Sequence, residues 1–332
     1  MASSYRRINY SVRPAKAIER KMLCDAFRRL SPFAKVATYR YLGFGSIYFT
    51  DFHLFHRALG MEDMLSMEKD ADAEECFLFN KPYNCVRLDC RPASAVLPEL
   101  DWRAKSIVWL DYDGKLDETV LSDISTVAAR SYSGSVLVIS VNAHVEGQPN
   151  ETVRQQYKAE TGLAFDLDAY RLRELHNRVG EALPPEVLGS ELRGGGLARI
   201  SRKLIDNRIE ETLSDRNGLL PSEKKMLYRQ ILNFNYSDGA RMLTVGGILF
   251  EAGDFEKFEA CSFNELDFIR FGEEAYAIDV PCLTMKEMRH LNAQLPEAEA
   301  AALSLPGVST SDIRRYAELY RYFPTFTEAI FT

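Results

Sequence analysis

The chain has 332 residues, enough for one large domain with additions or for two domains, and its composition is ordinary for a soluble globular protein. No apolar run approaches the roughly 20 residues that span a bilayer, and the first 30 residues lack the apolar stretch of a secretory signal, so a cytoplasmic protein without membrane association is expected. Net charge is -7 but uneven: ten Lys/Arg against Glu19 and Asp25 put residues 1–40 at +8 and leave -15 on the remainder, which points either to an anionic partner such as nucleic acid or to a basic arm packed on an acidic body.

In chain order, the periodicity predicts a first helix over 14–30, with Pro14 in its first turn and Ile18, Met22, Ala26 and Leu30 on one face. Lys16 and Arg20 on this helix are candidates to face a ligand. A short strand over 39–43 enters the turn Gly43-Phe44-Gly45-Ser46, and a helix over 51–59, capped by Thr50 or Asp51, follows. A second strand, 63–68, ends on Glu68. A short helix near 70–77, a third strand over 83–89 ending on Asp89, and a short helix around 91–98 come next. A fourth strand over 106–111 ends on Asp111; a helix over 117–130 and a fifth strand over 135–142 complete the alternation. Strands four and five are apolar throughout, so they belong at the centre of a parallel sheet covered on both faces.

After His144 the pattern changes. Residues 147–225 read as a polar helical insertion with a break at Gly194-Gly195-Gly196, and strand character returns at 241–250 and 274–283, two strands that could close the sheet as an antiparallel pair. Helices over 297–303 and from Thr310 or Ser311 to Tyr322 form the tail. The expected fold is therefore α/β: a Rossmann-like, doubly wound, mostly parallel seven-stranded sheet with a helical insertion and a helical C-terminal tail. The corresponding division is a basic helical arm (1–35), a Rossmann-like domain (36–146 and 226–284), a helical insertion (147–225) and a C-terminal extension (285–332).

Ligands of open parallel sheets sit at the carboxyl ends of the strands, where this chain places Glu68, Asp89 and Asp111. Glu68 follows Gly45 by 23 residues, about the distance at which an acid meets ribose hydroxyls in nucleoside-binding βαβ units. Tyr48 stands where a dinucleotide fingerprint needs a third glycine, which disfavours a nicotinamide cofactor. Six cysteines show no CxxC spacing, and the pair His53 and His56 has no third ligand nearby, so no metal site is expected. Asp111, Asp113 and Asn142 are oxygen donors of the kind magnesium takes, a lesser alternative.

Five αβ units with two late strands, together with Gly43-Phe44-Gly45, Glu68, Asp89 and Asp111, resemble the class I S-adenosylmethionine (SAM) methyltransferases. The runs Tyr41-Leu42-Gly43-Phe44-Gly45-Ser46 and Leu110-Asp111-Tyr112-Asp113-Gly114 are similar to those of bacterial proteins grouped as O-methyltransferases. The resemblance implies a SAM-dependent enzyme acting on oxygen. Gly43, Phe44 and Gly45 would pass close to the cofactor, and Glu68 would accept from its ribose. Asp89 with Cys90 would meet its adenine, and Asp111 its methionine amino group or the substrate. The chain departs from the family pattern at Tyr41, where an acid is common, and at Ile47, where a glycine is. Asp111-Tyr112-Asp113 replaces the Pro-Pro-aromatic loop used on base amino groups. Candidate catalytic residues are Asp111, Asp113 and His144, the last as a base. The methyl acceptor is unidentified, with an anion or nucleic acid held by Arg6, Arg7, Arg13, Lys16 and Arg20 as one expectation. A homo-oligomer or a protein partner is another. The alternative is an inactive methyltransferase-like module serving as a partner in a larger complex.

Overall fold

The structure, a computed structural model, describes residues 13–297 and 303–324. One sheet runs through it, built from β1 (Arg40–Gly43), β2 (Asp63–Met67), β3 (Val86–Asp89), β4 (Ser106–Asp111), β5 (Ser135–Asn142), β6 (Met226–Ser237), β7 (Arg241–Glu251) and β8 (Tyr276–Ile278). Among the described residues the α-helices are α1 (Pro14–Arg28), α2 (Thr50–Leu59), α3 (Glu74–Asn80), α4 (Ala93–Val96), α5 (Glu118–Arg130), α6 (Glu151–Thr161), α7 (Leu167–Val179), α8 (Gly196–Asn217), α9 (Phe255–Ala260), α10 (Met285–Asn292) and α11 (Thr310–Leu319). Spatial order is β3-β2-β1-β4-β5-β7-β6-β8. β1 to β5 are mutually parallel, β7 is antiparallel to both β5 and β6, and β8 pairs parallel with β6.

Among the described residues the expected seven strands are thus eight, and the late antiparallel pair is assembled differently. It is the hairpin β6/β7 around Asp238-Gly239, not 241–250 with 274–283; the latter segment yields only three residues of parallel strand. The missed strand β6 carries Gln230 and Asn233 at buried positions, because their side-chain amides donate to the carbonyls of Arg270, Gly272 and Glu273. Other shifts are at element ends. The helix expected at 70–77 is a turn of 3₁₀ helix over 71–73 followed by α3, and α11 is capped by Ser309, not by Thr310 or Ser311, and ends at Leu319. Most of the helix expected over 297–303 lies outside the described residues.

Alternation along the strands sends neighbouring side chains to opposite faces. Tyr41 and Trp109 enter one core with Ile18, Met22 and Phe27 of α1 and Phe52 and Phe55 of α2. Leu42 and Leu110 enter the other with Val120 and Ile124 of α5 and Leu204, Ile205 and Ile209 of α8. α8, inside the expected insertion, therefore lies in the helical layer against the sheet. A third, smaller cluster joins α10 and α11 through Leu291, Ile313 and Tyr316.

α1, read as part of a basic arm, is packed into the first core. Ile18, Met22, Leu23, Ala26 and Phe27 are fully buried, and the Phe27 and Phe55 rings meet edge to face at 5.3 Å between centroids. Each of these side chains larger than that of Ala26 contributes about 1.5–3 kcal/mol of hydrophobic stabilisation. The first backbone N–H groups of a helix lack partners within it. Here the Asp238 carboxylate, from the β6/β7 turn, accepts those of Ala15 (3.3 Å) and Lys16 (2.9 Å). Asp238→Ala should accordingly lower stability by about 0.5–2 kcal/mol in urea denaturation; parent-like stability would mean that the hairpin does not hold the start of α1.

Candidate active site

The carboxyl ends of β1 to β5, with the adjoining ends of β6 and β7, form one edge. β1 leaves the sheet through Gly43-Phe44-Gly45-Ser46, and two residues there take left-handed backbone without being glycine: Ser46 (φ 50°) and Phe49 (φ 45°). Strained backbone of this kind persists only where the surroundings enforce it. Phe49 does so by burying its ring under the turn; a Cβ on Gly45 would lie 2.4 Å from that ring and 2.9 Å from Ser66 Oγ. A Cβ on Gly43 would meet the Tyr41 hydroxyl at 2.7 Å. On their Cβ sides both glycines therefore admit protein rings.

Glu68 closes the turn from below. Its Oε1 accepts the Ser46 backbone N–H at 2.9 Å and the Ser66 hydroxyl at 2.8 Å, and Ser66 Oγ in turn accepts the Gly45 N–H at 2.9 Å. Among the described residues no cation pairs with Glu68. Burial raises its pKa to about 7, against the lowering effect of the Ser66 and backbone hydrogen bonds. Asp89 is joined to this corner through its backbone, the Glu68 N–H donating to the Asp89 carbonyl at 2.9 Å. Its carboxylate is already engaged by Arg91 with two parallel bonds of 2.9 and 2.8 Å, which hold its pKa below the usual range. The adenine role that the resemblance implies must therefore compete with Arg91. Cys90 is half-buried beside it, and burial pushes its thiol pKa up.

At the end of β4, Asp111 meets a group of buried charges. Lys16 Nζ lies 2.7 Å from Asp111 Oδ1 and 2.8 Å from Glu19 Oε2, under the face of Trp109 at 4.3 Å. Tyr236 donates to Glu19 Oε2 at 3.1 Å, and Thr244 donates to Glu19 Oε1. Ser140 links Thr244 to the Trp109 indole N–H. Burial, offset in part by Lys16, raises the pKa of Glu19, and burial likewise raises that of Asp51, which Arg20 partly counters. Tyr41 donates its hydroxyl to Asp51 in the first turn of α2.

The loops after β4 and β5 run side by side, with the Tyr112 N–H donating to Ser140 O and the Asn142 N–H to Gly114 O, both at 2.9 Å. They bring the exposed Asp113 and His144 to the same edge. Asn142 Oδ1 accepts the His144 backbone N–H at 2.8 Å. Tyr112 donates to Asp123 at 2.5 Å and packs edge to face on Phe44 at 5.2 Å. No group of three or more His, Cys, Asp or Glu among the described residues is arranged to hold a metal. His53 and His56 are occupied by the Tyr83 hydroxyl and the Met61 carbonyl.

The edge thus assembles the turn 43–46, Glu68, Asp89, Asp111, Asp113 and His144. It does not free Lys16 and Arg20 for an external anion: both are buried and face the carboxylates of Asp111, Glu19 and Asp51, while Arg6 and Arg7 lie outside the described residues. Ser66, Glu19, Tyr236 and Thr244 were not singled out in the sequence. Only Ser66, two positions before Glu68 and so on the same strand face, carried a legible signal.

The order 3-2-1-4-5-7-6 with an antiparallel seventh strand defines the class I methyltransferase fold, here extended by β8. A family model described as "Putative O-methyltransferase" matches residues 8–331, and the chain belongs to that family. No curated protein matches it significantly. Among solved structures it is similar to Trm1 from Pyrococcus horikoshii in complex with S-adenosyl-L-methionine: 9% identity, TM-score 0.42, covering 74% of this chain and 57% of that one. It is also similar to the N-methyltransferase NodS from Bradyrhizobium japonicum in complex with S-adenosyl-l-homocysteine, at 8% identity and TM-score 0.39, covering 72% and 89% of the two chains. An O-methyltransferase family protein from Burkholderia thailandensis gives 11% identity and TM-score 0.33, with 71% and 57% covered. This chain spans 57% of the length of the first and third of these. Among the described residues no helix is long and apolar enough to cross a membrane.

The buried Glu68 has a consequence for stability. Its folded pKa of about 7 lies above the model-peptide value of 4.5, so the native state binds this proton more tightly than the unfolded chain does. That contribution is complete below pH 4.5 and is lost as pH rises through 7. Glu68→Gln cannot ionise, so relative to the parent it should gain about 2–3 kcal/mol between pH 4.5 and pH 8 in urea denaturation. A difference independent of pH would contradict a raised Glu68 pKa.

Proposed function

We propose that this methyltransferase-family protein binds SAM across the turn 43–46 and Glu68 and transfers the methyl group to an oxygen of its acceptor. The observation that carries the reading is Glu68: a buried carboxyl group, without a cation among the described residues, held at the end of β2 by two neutral donors, the Ser46 N–H of the glycine turn and the Ser66 hydroxyl of β2 itself. Ribose hydroxyls are further neutral donors, of the same chemistry as the Ser66 hydroxyl already bound there, and hydrogen bonds to a charged acceptor are the stronger kind. The donor set therefore fits the cofactor. When bound, SAM supplies a methyl group made electrophilic by its sulfonium.

The chain's own residues position the reactants and handle a proton. The turn 43–46 and Glu68 hold the nucleoside. Asp111, with its side chain one quarter exposed at the end of β4, accepts from the methionine ammonium. Asp113 and His144, exposed on the two adjoining loops, would orient an acceptor hydroxyl and take its proton, a role that their shared edge supports. The family match and the Asp111-Tyr112-Asp113 sequence support oxygen as the acceptor atom.

Ionised Glu68 accepts from ribose and protonated Glu68 does so less well, so calorimetric affinity for SAM should rise with pH through about 7. Glu68→Ala should weaken binding at pH 8 by roughly 1.5–3 kcal/mol and flatten that pH dependence. If the variant titrates SAM like the parent, the ribose assignment fails. His144→Ala and Asp113→Asn should keep SAM affinity and melting temperature while lowering turnover of SAM in the presence of hydroxyl acceptors; an equal loss of SAM affinity would move both residues to cofactor binding.

A further inference from the structure

Lys16 lies on α1, outside the strand ends that make the site, yet it touches the site's Asp111. An ammonium group has three N–H donors and no acceptor. Three oxygens meet it: Asp111 Oδ1 at 2.7 Å, Glu19 Oε2 at 2.8 Å and Tyr236 Oη at 3.2 Å. The indole of Trp109 covers its remaining side, and the Lys16 side chain is 4% exposed. It therefore has no donor left for a ligand. Asp111 differs: its side chain is 25% exposed, and among the described residues its second oxygen, Oδ2, makes no hydrogen bond.

We propose that Lys16 is a positioning residue, which fixes Asp111 through Oδ1 so that Oδ2 meets the methionine ammonium of SAM. The inference rests on the cofactor reading above. Three carboxylates, Glu19 from α1, Asp51 from α2 and Asp111 from β4, face two cations, Lys16 and Arg20, with the Tyr41 and Tyr236 hydroxyls between them. In such a group the loss of one cation lets a carboxylate protonate or turn away. Lys16 is the cation in contact with Asp111, and Asp238 holds the start of its helix. The location of Lys16 is thus set by the fold, and through it so is that of the carboxylate facing the ligand.

The test titrates SAM and 5′-methylthioadenosine, which lacks the amino-acid end, at pH 8. The proteins are the parent, Glu19→Gln, and the double variant Lys16→Met/Glu19→Gln, which removes one cation and one acid together. Relative to Glu19→Gln, the double variant should bind SAM roughly tenfold or more weakly, the loss of one hydrogen bond to a charged group, and methylthioadenosine equally well. Equal SAM affinity in the two variants overturns the proposal. So does an equal loss for both ligands, which would make Lys16 a structural residue only. If the double variant does not fold, Asp111→Asn, which leaves the Lys16–Glu19 pair intact, carries the test: selective loss of SAM supports the proposal and parent-like SAM affinity overturns it. Failure of the parent to bind either ligand would overturn the cofactor reading itself, and this inference with it.

Discussion

The ion group between α1 and the sheet is the constraint on which the site depends. Moving a charged side chain out of water costs several kcal/mol even after relaxation, and such charges persist only when they are partnered. Glu19 is fully buried, and Lys16 and Arg20 nearly so. Their partners come from α1 itself, from β4, β6 and β7, and from the first turn of α2. The group therefore specifies how α1 sits against four separate elements, which hydrophobic contacts alone define less sharply. It also ends, on its open side, at Asp111. The N-terminal helix, which on charge alone looked like an appendage, is thereby part of what shapes the strand-end edge proposed to bind SAM.

A second, independent device serves the other half of that edge. The turn after β1 is held from one side by Phe49, whose ring fills the space a Cβ on Gly45 would need, and from the other by Glu68 and Ser66, which take its N–H groups. Two non-glycine residues stay in left-handed backbone as a result. The turn is held by these protein contacts alone, and Glu68 stays in a setting where burial opposes its ionisation. Preorganisation of this sort keeps the ordering cost of binding low.

Much of this was legible from residue pattern. Strands β4 and β5 were read to the residue because an uninterrupted apolar run has one structural meaning in a parallel sheet, burial on both faces. The strand-end acids Glu68, Asp89 and Asp111 were visible for the same reason, since each follows a strand of clear pattern. The strand β6 was hidden because Gln230 and Asn233 sit where apolar residues would be expected, their amides being satisfied by a loop 40 residues away in sequence. Its one local signal is the Asp238-Gly239 turn that joins it to β7. The ion group was legible only as the general alternative of a basic arm packed on an acidic body, not in its members. Lys16, Glu19 and Arg20 look like the solvated side of an amphipathic helix, and only the tertiary placement of Asp111, Tyr236 and Thr244 makes them buried. Likewise nothing local announced that Arg91, two residues on, takes the Asp89 carboxylate.

The central claim is that the nucleoside of SAM lies between the turn 43–46 and Glu68. A crystal structure of the protein with S-adenosylhomocysteine tests it most directly. The account predicts both ribose hydroxyls within hydrogen-bonding distance of the Glu68 carboxylate and the sulfur end of the ligand toward Asp111. A ligand bound elsewhere, with Glu68 still engaged only by Ser46 and Ser66, would contradict it.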